Sequence, residues 1–366
     1  MVVFGHNIDA CTTVQALLSL GLPGPQIHLV LVPSESGPWL LDPAVDQAVI
    51  GIMETVHIQV YQNCELQTIR TQENRVTGVT FSCRGETIEI CCGALVCLCS
   101  PGLDRRMLRA LLNSFLVFDG RLVVDSCFRT SDPWICAAGT MTKYSRKYYS
   151  EEWSHQRYCS TQIGQDFARQ ILLFFDPTSK PREESDLLPL YNRPKVTGGV
   201  LPGALHFLHV TKPSPSELNS VPYLKDKVLV TGDPASGSYF RLQLDDCERV
   251  ETITCVAHKP LPLHNLLCLY GQQQSLLGNL SRGQVSDLYS FFRQSWCLAI
   301  FHDRFTDFQL ELRALANHSA AETHGQEQRP SEDLDPETRT EIRSAVVRYL
   351  SYNRNLLPMF ALPGHL

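Results

Sequence analysis

Residues 2–10 read Val2-Val3-Phe4-Gly5-His6-Asn7-Ile8-Asp9-Ala10, and this stretch decides the fold. Three apolar residues run straight into a glycine. From Asp9 the spacing turns helical: Ala10, Val14, Leu17 and Leu18 share a face, and Gly21 closes the segment. Residues 27–32 form a second apolar run, suited to a parallel strand buried on both faces, and Pro33 to Pro38 break it. A strand, a glycine turn, a helix and a second strand open a nucleotide-binding α/β unit. Each glycine position in such a turn has its own task. The first makes the tight turn, the second lets the backbone approach a pyrophosphate, and the third lets the helix pack on the strand. Those positions hold Gly5, Asn7 and Ala10. Alanine serves at the third position. Asn7 puts a side chain into the space of a pyrophosphate. The acid that should end the second strand and bind ribose is replaced by Val32-Pro33-Ser34, with Glu35 arriving late.

Outward from this unit the pattern becomes strand-rich. Runs at 57–61, 65–71, 76–82 and 87–91 are separated by Asn, Gly and charged residues, and 94–99 is another continuous apolar run. Residues 105–116 are predicted as a helix, 122–124 and 134–137 as short strands, and 152–175 as a long helix. Pro, acids and a charge cluster at 180–184 mark a boundary at 176–194. A second apolar block follows, with strands expected at 204–210, 227–230, 239–244 and 250–257, then a mainly helical stretch over 284–315. The polar segment 317–334 is expected to be a disordered linker, and Asp335-Pro336 caps a terminal helix over 336–357.

Composition narrows the function classes. A chain of 366 residues is about two domains long, and 43% apolar against 19% charged residues supports real cores. A net charge of −6 argues against nucleic-acid and anionic-membrane binding, which need basic surfaces. No apolar run approaches the ~20 residues of a membrane span. The start shows no signal-peptide pattern, so the fourteen cysteines are expected as reduced cytosolic thiols. The first residues already read as a buried strand, which suggests a fragment or short isoform of a longer protein.

A second motif sharpens the reading. Val123-Val124-Asp125-Ser126 is followed by Thr130, Pro133, Trp134-Ile135 and Ala137-Ala138-Gly139-Thr140. This resembles the late flavin-contacting motif of the pyridine nucleotide–disulfide oxidoreductase-like flavoproteins, in which Ala-x-Gly-Asp ends on an aspartate that holds the ribityl chain. Thr140 stands where that aspartate would be. Residues 74–79 and 93–100 resemble the meander and returning strand that precede the motif. Gly237-Ser238-Tyr239-Phe240-Arg241-Leu242, with Asp245 and Val250, resembles that family's C-terminal dimerisation sheet. Its catalytic His-x-His-Pro element is absent, with His258-Lys259-Pro260 the nearest approach, so no catalytic residue is expected.

Other clusters read blandly. Cys92 and Cys97 have a reductase-like gap but sit at a predicted strand, and are expected as buried, inert thiols. Cys91, Cys92, Cys97 and Cys99 lack metal-ligand pairing, and no metal site is expected. His206 and His209 are offset by three and cannot share a strand face. Tyr144, Tyr148, Tyr149 and Trp153 beside Arg146 and Lys147 suit packing of a helix's first turn better than a docking surface. The terminal helix carries Arg339, Arg343, Arg348 and Arg354. It suits calmodulin or a partner groove, but packing on its own domain or a dimer mate is the plainer reading.

Together these segments resemble the C-terminal part of the cilia- and flagella-associated protein 61 family. The resemblance implies an α/β fold: a Rossmann-like FAD/NAD(P)-binding domain with an inserted β-meander over 1–178, a linker at 179–195, and an α+β dimerisation-like domain over 196–366. It implies a structural role in the axoneme of motile cilia and the sperm flagellum. The chain would support radial spokes within the calmodulin- and spoke-associated complex. Expected partners are the other subunits of that complex, calmodulin and radial spoke proteins, with a homodimer possible and neither nucleic acid nor membrane. Gly5, Asn7, Ala10, Ala138, Gly139 and Thr140 become a degenerate, vestigial cofactor site, with no cofactor expected and residual FAD or NAD(P) binding conceivable. The alternative is an FAD-dependent NAD(P)H oxidoreductase.

Overall fold

A computed structural model of the chain describes residues 1–33, 38–99, 103–150, 153–176, 178, 186–214, 227–278, 280, 285–294, 296–302, 304–322 and 336–355. Two compact units emerge, one of residues 1–246 with 251–261 and the other of 247–250 with 262–366. The 179–195 stretch lies within the span of the first unit.

The first unit opens with β1 (Val2–Phe4), α1 (Ile8–Ser19), β2 (His28–Val30), α2 (Pro43–Thr55) and β3 (Gln59–Tyr61). An antiparallel meander, β4 (Cys64–Gln72), β5 (Arg75–Cys83) and β6 (Glu86–Cys91), leads to β7 (Leu95–Cys97). The sheet order is β3-β2-β1-β7 with every pair parallel, as in half of a doubly wound fold. Alternate residues of β1 face opposite sides. Val3 joins α1 and α2 in one core with Ala10, Val14, Val49 and Met53. Val2 and Phe4 join the meander residues Val79, Phe81 and Ile90 in another.

Next come α3 (Arg105–Asn113), β8 (Phe118–Asp119), β9 (Arg121–Val124), β10 (Thr142–Tyr144) and α4 (Ser160–Leu172). Residues 134–137 are not a strand: only Cys136 bridges, to Arg129. Asp132 and Pro133 impose a turn, in which Ile135 N–H donates to Asp132 O at 3.0 Å and Trp134 N–H to Asp132 Oδ1 at 2.9 Å. The long helix expected over 152–175 shortens to Ser160–Leu172. Trp153 and Tyr158 stack at 4.9 Å, and Tyr158 is buried in a cluster with Tyr144, Tyr148, Ile163 and Tyr191. Wrapping that aromatic cluster holds 153–158 out of the helix.

A five-stranded antiparallel sheet completes the unit: β11 (Lys195–Leu201), β12 (Leu205–Thr211), β13 (Val228–Asp233), β14 (Ser238–Leu244) and β15 (Val250–Ala257), ordered β11-β12-β15-β14-β13. Of these, β11 escaped the sequence reading because its Gly198-Gly199 pair lowers strand propensity. Gly199 is needed for close approach, since a Cβ there would lie 2.6 Å from Thr12 Cγ2 of α1. Leu201, Leu205, Phe207, Tyr239 and Val256 of this sheet belong to the same core as α1 and α2.

The second unit is helical, with α5 (Leu263–Leu269), α6 (Leu288–Phe291), α7 (Cys297–Phe301), α8 (Phe305–Glu322) and α9 (Pro336–Asn355). The mainly helical stretch expected over 284–315 comprises α6, α7 and most of α8, with Phe291 and Trp296 packed edge to face at 5.3 Å where the chain turns between α6 and α7. The expected disorder over 317–334 is corrected for 317–322, which continue α8; Ala320 and Ala321 favour helix despite polar neighbours. The rest of that stretch lies outside the described residues, as do Asp335 and residues 356–357. On α9, Tyr349 stacks on Phe308 at 4.1 Å and donates its hydroxyl to Ala299 O at 2.7 Å. Its apolar face is therefore packed on α7 and α8. No described helix is long and apolar enough to cross a membrane.

One cysteine expectation fails. Cys64 and Cys83 form a disulfide, because β4 and β5 place them directly opposite with Cα atoms 4.2 Å apart. The twelve other cysteines are thiols. Cys92 is buried as expected, but Cys97 is exposed. Replacing Cys64 and Cys83 together by alanine is expected to lower the stability of the first unit by about 2–3 kcal/mol, from the closed loop of about 20 residues. Urea denaturation with and without reductant checks this; a curve insensitive to both reductant and substitution would remove the cross-link.

Candidate functional site

The glycine turn lies at the carboxyl end of β1, between the ends of β2 and β7. Gly5 N–H donates to Val30 O at 3.1 Å, and Leu98 N–H donates to Phe4 O at 2.7 Å. These bonds draw the end of β7 across the turn. A Cβ on Gly5 would lie 3.1 Å from both Cβ and O of Leu98, so glycine is kept here for contact with the chain itself. Asn7 is the N-cap of α1. Its Oδ1 accepts from Ala10 N–H at 3.0 Å, and its Nδ2 donates to Leu98 O at 3.0 Å.

This arrangement tests the fit of a dinucleotide. A pyrophosphate binds such a turn through free N–H groups at the helix N-terminus. In α1 one of those groups, the Ala10 N–H, is taken by the Asn7 carboxamide, which also ties the helix to Leu98. A diphosphate that bonds to the Ala10 N–H must displace the Asn7 carboxamide from it. The residues present do not fit the group. Ala10 is fully buried and packs α1 on the sheet, the task expected of the third position. Glu35 lies outside the described residues.

The second motif is also turned inward. Gly139 N–H donates to His155 Nδ1 at 3.1 Å. The Thr142 hydroxyl donates to Gly139 O at 2.8 Å and sits 2.7 Å from the same Nδ1. Because Nδ1 accepts the Gly139 N–H, the imidazole proton resides on Nε2. That nitrogen is buried without a hydrogen-bond partner among the described residues. Phe128 and Tyr144 meet the ring edge to face at 5.4 and 5.1 Å. Burial lowers the His155 pKa to about 4, which keeps the ring neutral. Thr140 is exposed, and its carbonyl accepts from the Arg121 guanidinium, which also donates to Gln156 Oε1 at 2.7 Å. Ala138 is half-buried against the aromatic cluster. The six residues thus fall in two places, the β1 turn and the 138–142 loop, and each is held by bonds within the chain.

Three residues that organise these regions escaped the sequence reading. His155 lies in a short polar stretch without a motif. Arg121 has no local signal. Asp42 had one: an acid directly before Pro43 is an N-cap with proline at the first helical position. The other histidines keep the plain reading. His209 is buried, with Nδ1 3.0 Å from Thr254 Oγ1. His258 lies against Gly237, where a Cβ would come within 2.4 Å of its Nε2.

The parallel sheet, the inserted meander and the following mixed sheets define the α/β fold of the FAD/NAD(P)-linked oxidoreductases. The chain is similar to the ferredoxin reductase for the CYP199A2 system from Rhodopseudomonas palustris, with TM-score 0.50 and 19% identity over 79% of this chain and 62% of that one. It is similar to a NAD-dependent persulfide reductase from A. fulgidus, with TM-score 0.50 and 15% identity over 76% of this chain and 50% of that one. At these identities the likeness shows the fold alone. In sequence, residues 189–300 match the family model of the CFAP61 dimerisation domain. The chain is 22% identical over 314 residues to cilia- and flagella-associated protein 61 of Tetrahymena thermophila, covering 76% of this chain and 18% of that protein. The resemblance read from the motifs is therefore borne out, and the chain spans about a fifth of that relative's length.

Proposed function

We propose that this chain is a non-catalytic assembly module of the axoneme in motile cilia and the sperm flagellum, built on a flavoprotein-like fold. In this reading it supports radial spokes as part of the calmodulin- and spoke-associated complex and pairs through its dimerisation-like region. The relationship to a cilia- and flagella-associated protein supports the location, and the match to a dimerisation domain supports self-association. The observation that carries the non-catalytic reading is the self-capped turn, in which Asn7 occupies the anion-binding end of α1. The six motif residues are then remnants of a cofactor site.

Ligand linkage tests this. A ligand that binds only the native state raises the melting temperature, by an amount that grows with the logarithm of its concentration relative to Kd. Millimolar FAD, NADH and NADPH are expected to leave the melting temperature unchanged, and the purified chain is expected to lack visible flavin absorbance. Asn7→Gly removes the carboxamide while keeping a tolerated N-cap residue, at a cost of about 1 kcal/mol for the lost bonds. A flavin spectrum with stoichiometric FAD in the native mass spectrum would establish the competing reading, an FAD-dependent NAD(P)H oxidoreductase, which the shared fold favours. Loss of radial spokes from the axoneme, seen by tomography after deletion of this region, is expected for the assembly role.

A further inference from the structure

A surface on the first unit has the composition of a binding hot spot and is built at a local conformational cost. The helix α3 ends in a Schellman turn: Phe115 N–H donates to Leu112 O and Leu116 N–H to Leu111 O, both at 3.1 Å. Leu111 and Leu116 turn inward and share a core with Leu122. The residue between them, Phe115, takes a φ of +55°, the position at which helices favour glycine. A bulky side chain in that conformation is strained. Its ring packs into no core and is 92% exposed. The left-handed turn serves the helix end, but glycine would serve it without strain and the ring packs into no core among the described residues, which directs attention to an external contact.

The neighbouring loop is rigid and presents a second aromatic. Ser131 Oγ accepts from Val117 N–H at 3.2 Å and donates to Phe115 O at 3.4 Å, fastening the 130–135 turn to the end of α3. Asp132 is occupied inside that turn by Trp134 N–H. Trp134 is 81% exposed and leans on Phe174, just beyond α4, with ring centroids 6.4 Å apart. Val117, whose N–H is tied to Ser131 of the same turn, is also exposed. Along α3, Arg105, Arg109 and Leu112 recur at i, i+4 and i+7, opposite the inward Leu111, with Arg106 beside them. All three arginines are exposed, and no ion pair engages them among the described residues. Trp, Phe and Arg are the residue types that carry most binding energy at interfaces.

We propose that Phe115, Trp134 and the arginine stripe of α3 form a docking face for an acidic amphipathic helix of a partner polypeptide. The aromatic pair takes the apolar stripe of the partner, and Arg105, Arg106 and Arg109 meet carboxylates at its edge. The charge decides the occupant: three cations within about a turn and a half of helix repel a basic segment and favour an acidic one.

The test uses the full chain and a display library of amphipathic helices of about 18 residues, with the apolar stripe fixed and the remaining positions drawn from Glu, Gln and Lys. Enriched peptides are expected to be rich in Glu and to weaken severalfold between about 50 and 300 mM salt. Phe115→Gly and Trp134→Ser are each expected to weaken them by about tenfold or more, as hot-spot truncations do. Arg105→Glu with Arg109→Glu is expected to turn the preference toward Lys. Phe115→Gly separates docking from folding, because it relieves the strained position: its melting temperature is expected to stay level or rise by up to about 4 °C. Enrichment of Gln- or Lys-rich peptides, equal binding by the variants, or no enrichment over Phe115→Gly overturns the proposal. A concentration-dependent dimer that Phe115→Gly abolishes in sedimentation velocity would show a second copy on this face, and also overturns it.

Discussion

Replacing Asp42 by alanine is expected to destabilise the first unit by about 2–4 kcal/mol, from the loss of a charge-assisted hydrogen-bond acceptor and of a helix N-cap together. Asp42 is 1% exposed, yet it carries a carboxylate. Its Oδ2 accepts from Arg241 Nη1 and from the Tyr239 hydroxyl, each at 3.0 Å. Its Oδ1 accepts from Ala44 N–H at 2.9 Å, capping α2. One side chain therefore starts a helix of the parallel-sheet layer and pairs with β14 of the antiparallel sheet. Alanine leaves Arg241 without this carboxylate and removes the N-cap, whose loss alone costs about 1 kcal/mol. Asp42→Asn keeps an oxygen for the cap at Ala44 N–H but turns an amide NH2 toward Tyr239 and Arg241, so at least half the loss is expected. Joining Asp42→Asn to Arg241→Met should recover part of it, since an apolar replacement of both partners is often neutral. Urea denaturation of the four proteins decides the matter. A loss below about 1 kcal/mol for Asp42→Ala would reduce the pair to an ordinary surface contact.

That pair also shows what a sequence yields and what it withholds. The strand, the glycine and the 3.6-residue spacing between positions 2 and 20 were sufficient for β1 and α1, because each signal is local. The partnership of Asp42 with Tyr239 and Arg241 was invisible, since it spans nearly 200 positions and depends on how two sheets pack. Cys64 and Cys83 were read as thiols because only the β4–β5 register brings them opposite each other. The chemistry at position 7 was half legible. A side chain in the phosphate space followed from the motif, but its two bonds to Ala10 and Leu98 followed only from the end of β7 closing over the turn. The strand expected at 134–137 failed where apolar residues follow Asp132-Pro133, whose turn preference wins over the apolar run. Strained Phe115 gave no signal at all, because left-handed backbone at a phenylalanine has no sequence signature.

Acidification is expected to weaken the first unit steeply, through two imidazoles that no motif announces. Burial lowers the pKa of both His155 and His209 to about 4. For His209 the nearby Asp42 opposes that shift, while Arg241 and Lys195 reinforce it. In the unfolded chain a histidine takes up its proton near 6.5. Between these values the unfolded state holds two more protons than the folded state. The stabilisation is thus complete above about pH 6.5 and is lost as pH falls through about 4, on the order of 3 kcal/mol for each ring. Asp46 acts with the opposite sign. Burial raises its pKa to about 6, against hydrogen bonds from Leu40 and Trp39 that lower it. Its contribution is present below its ordinary value of 3.8 and is lost as pH rises through about 6. Partial solvent access weakens that term, so the two histidines dominate. The consequence reaches the 138–142 loop directly. His155 accepts the Gly139 N–H at Nδ1, and a proton on that nitrogen abolishes the bond and releases the 138–142 loop. His155→Gln and His209→Gln offer neutral polar replacements, and the double variant is expected to flatten the stability profile between pH 4 and 6.5. Denaturation midpoints at several pH values, with proton uptake by titration calorimetry, provide the measurement. An acid limb in the double variant as steep as in the parent chain would place the uptake on other groups.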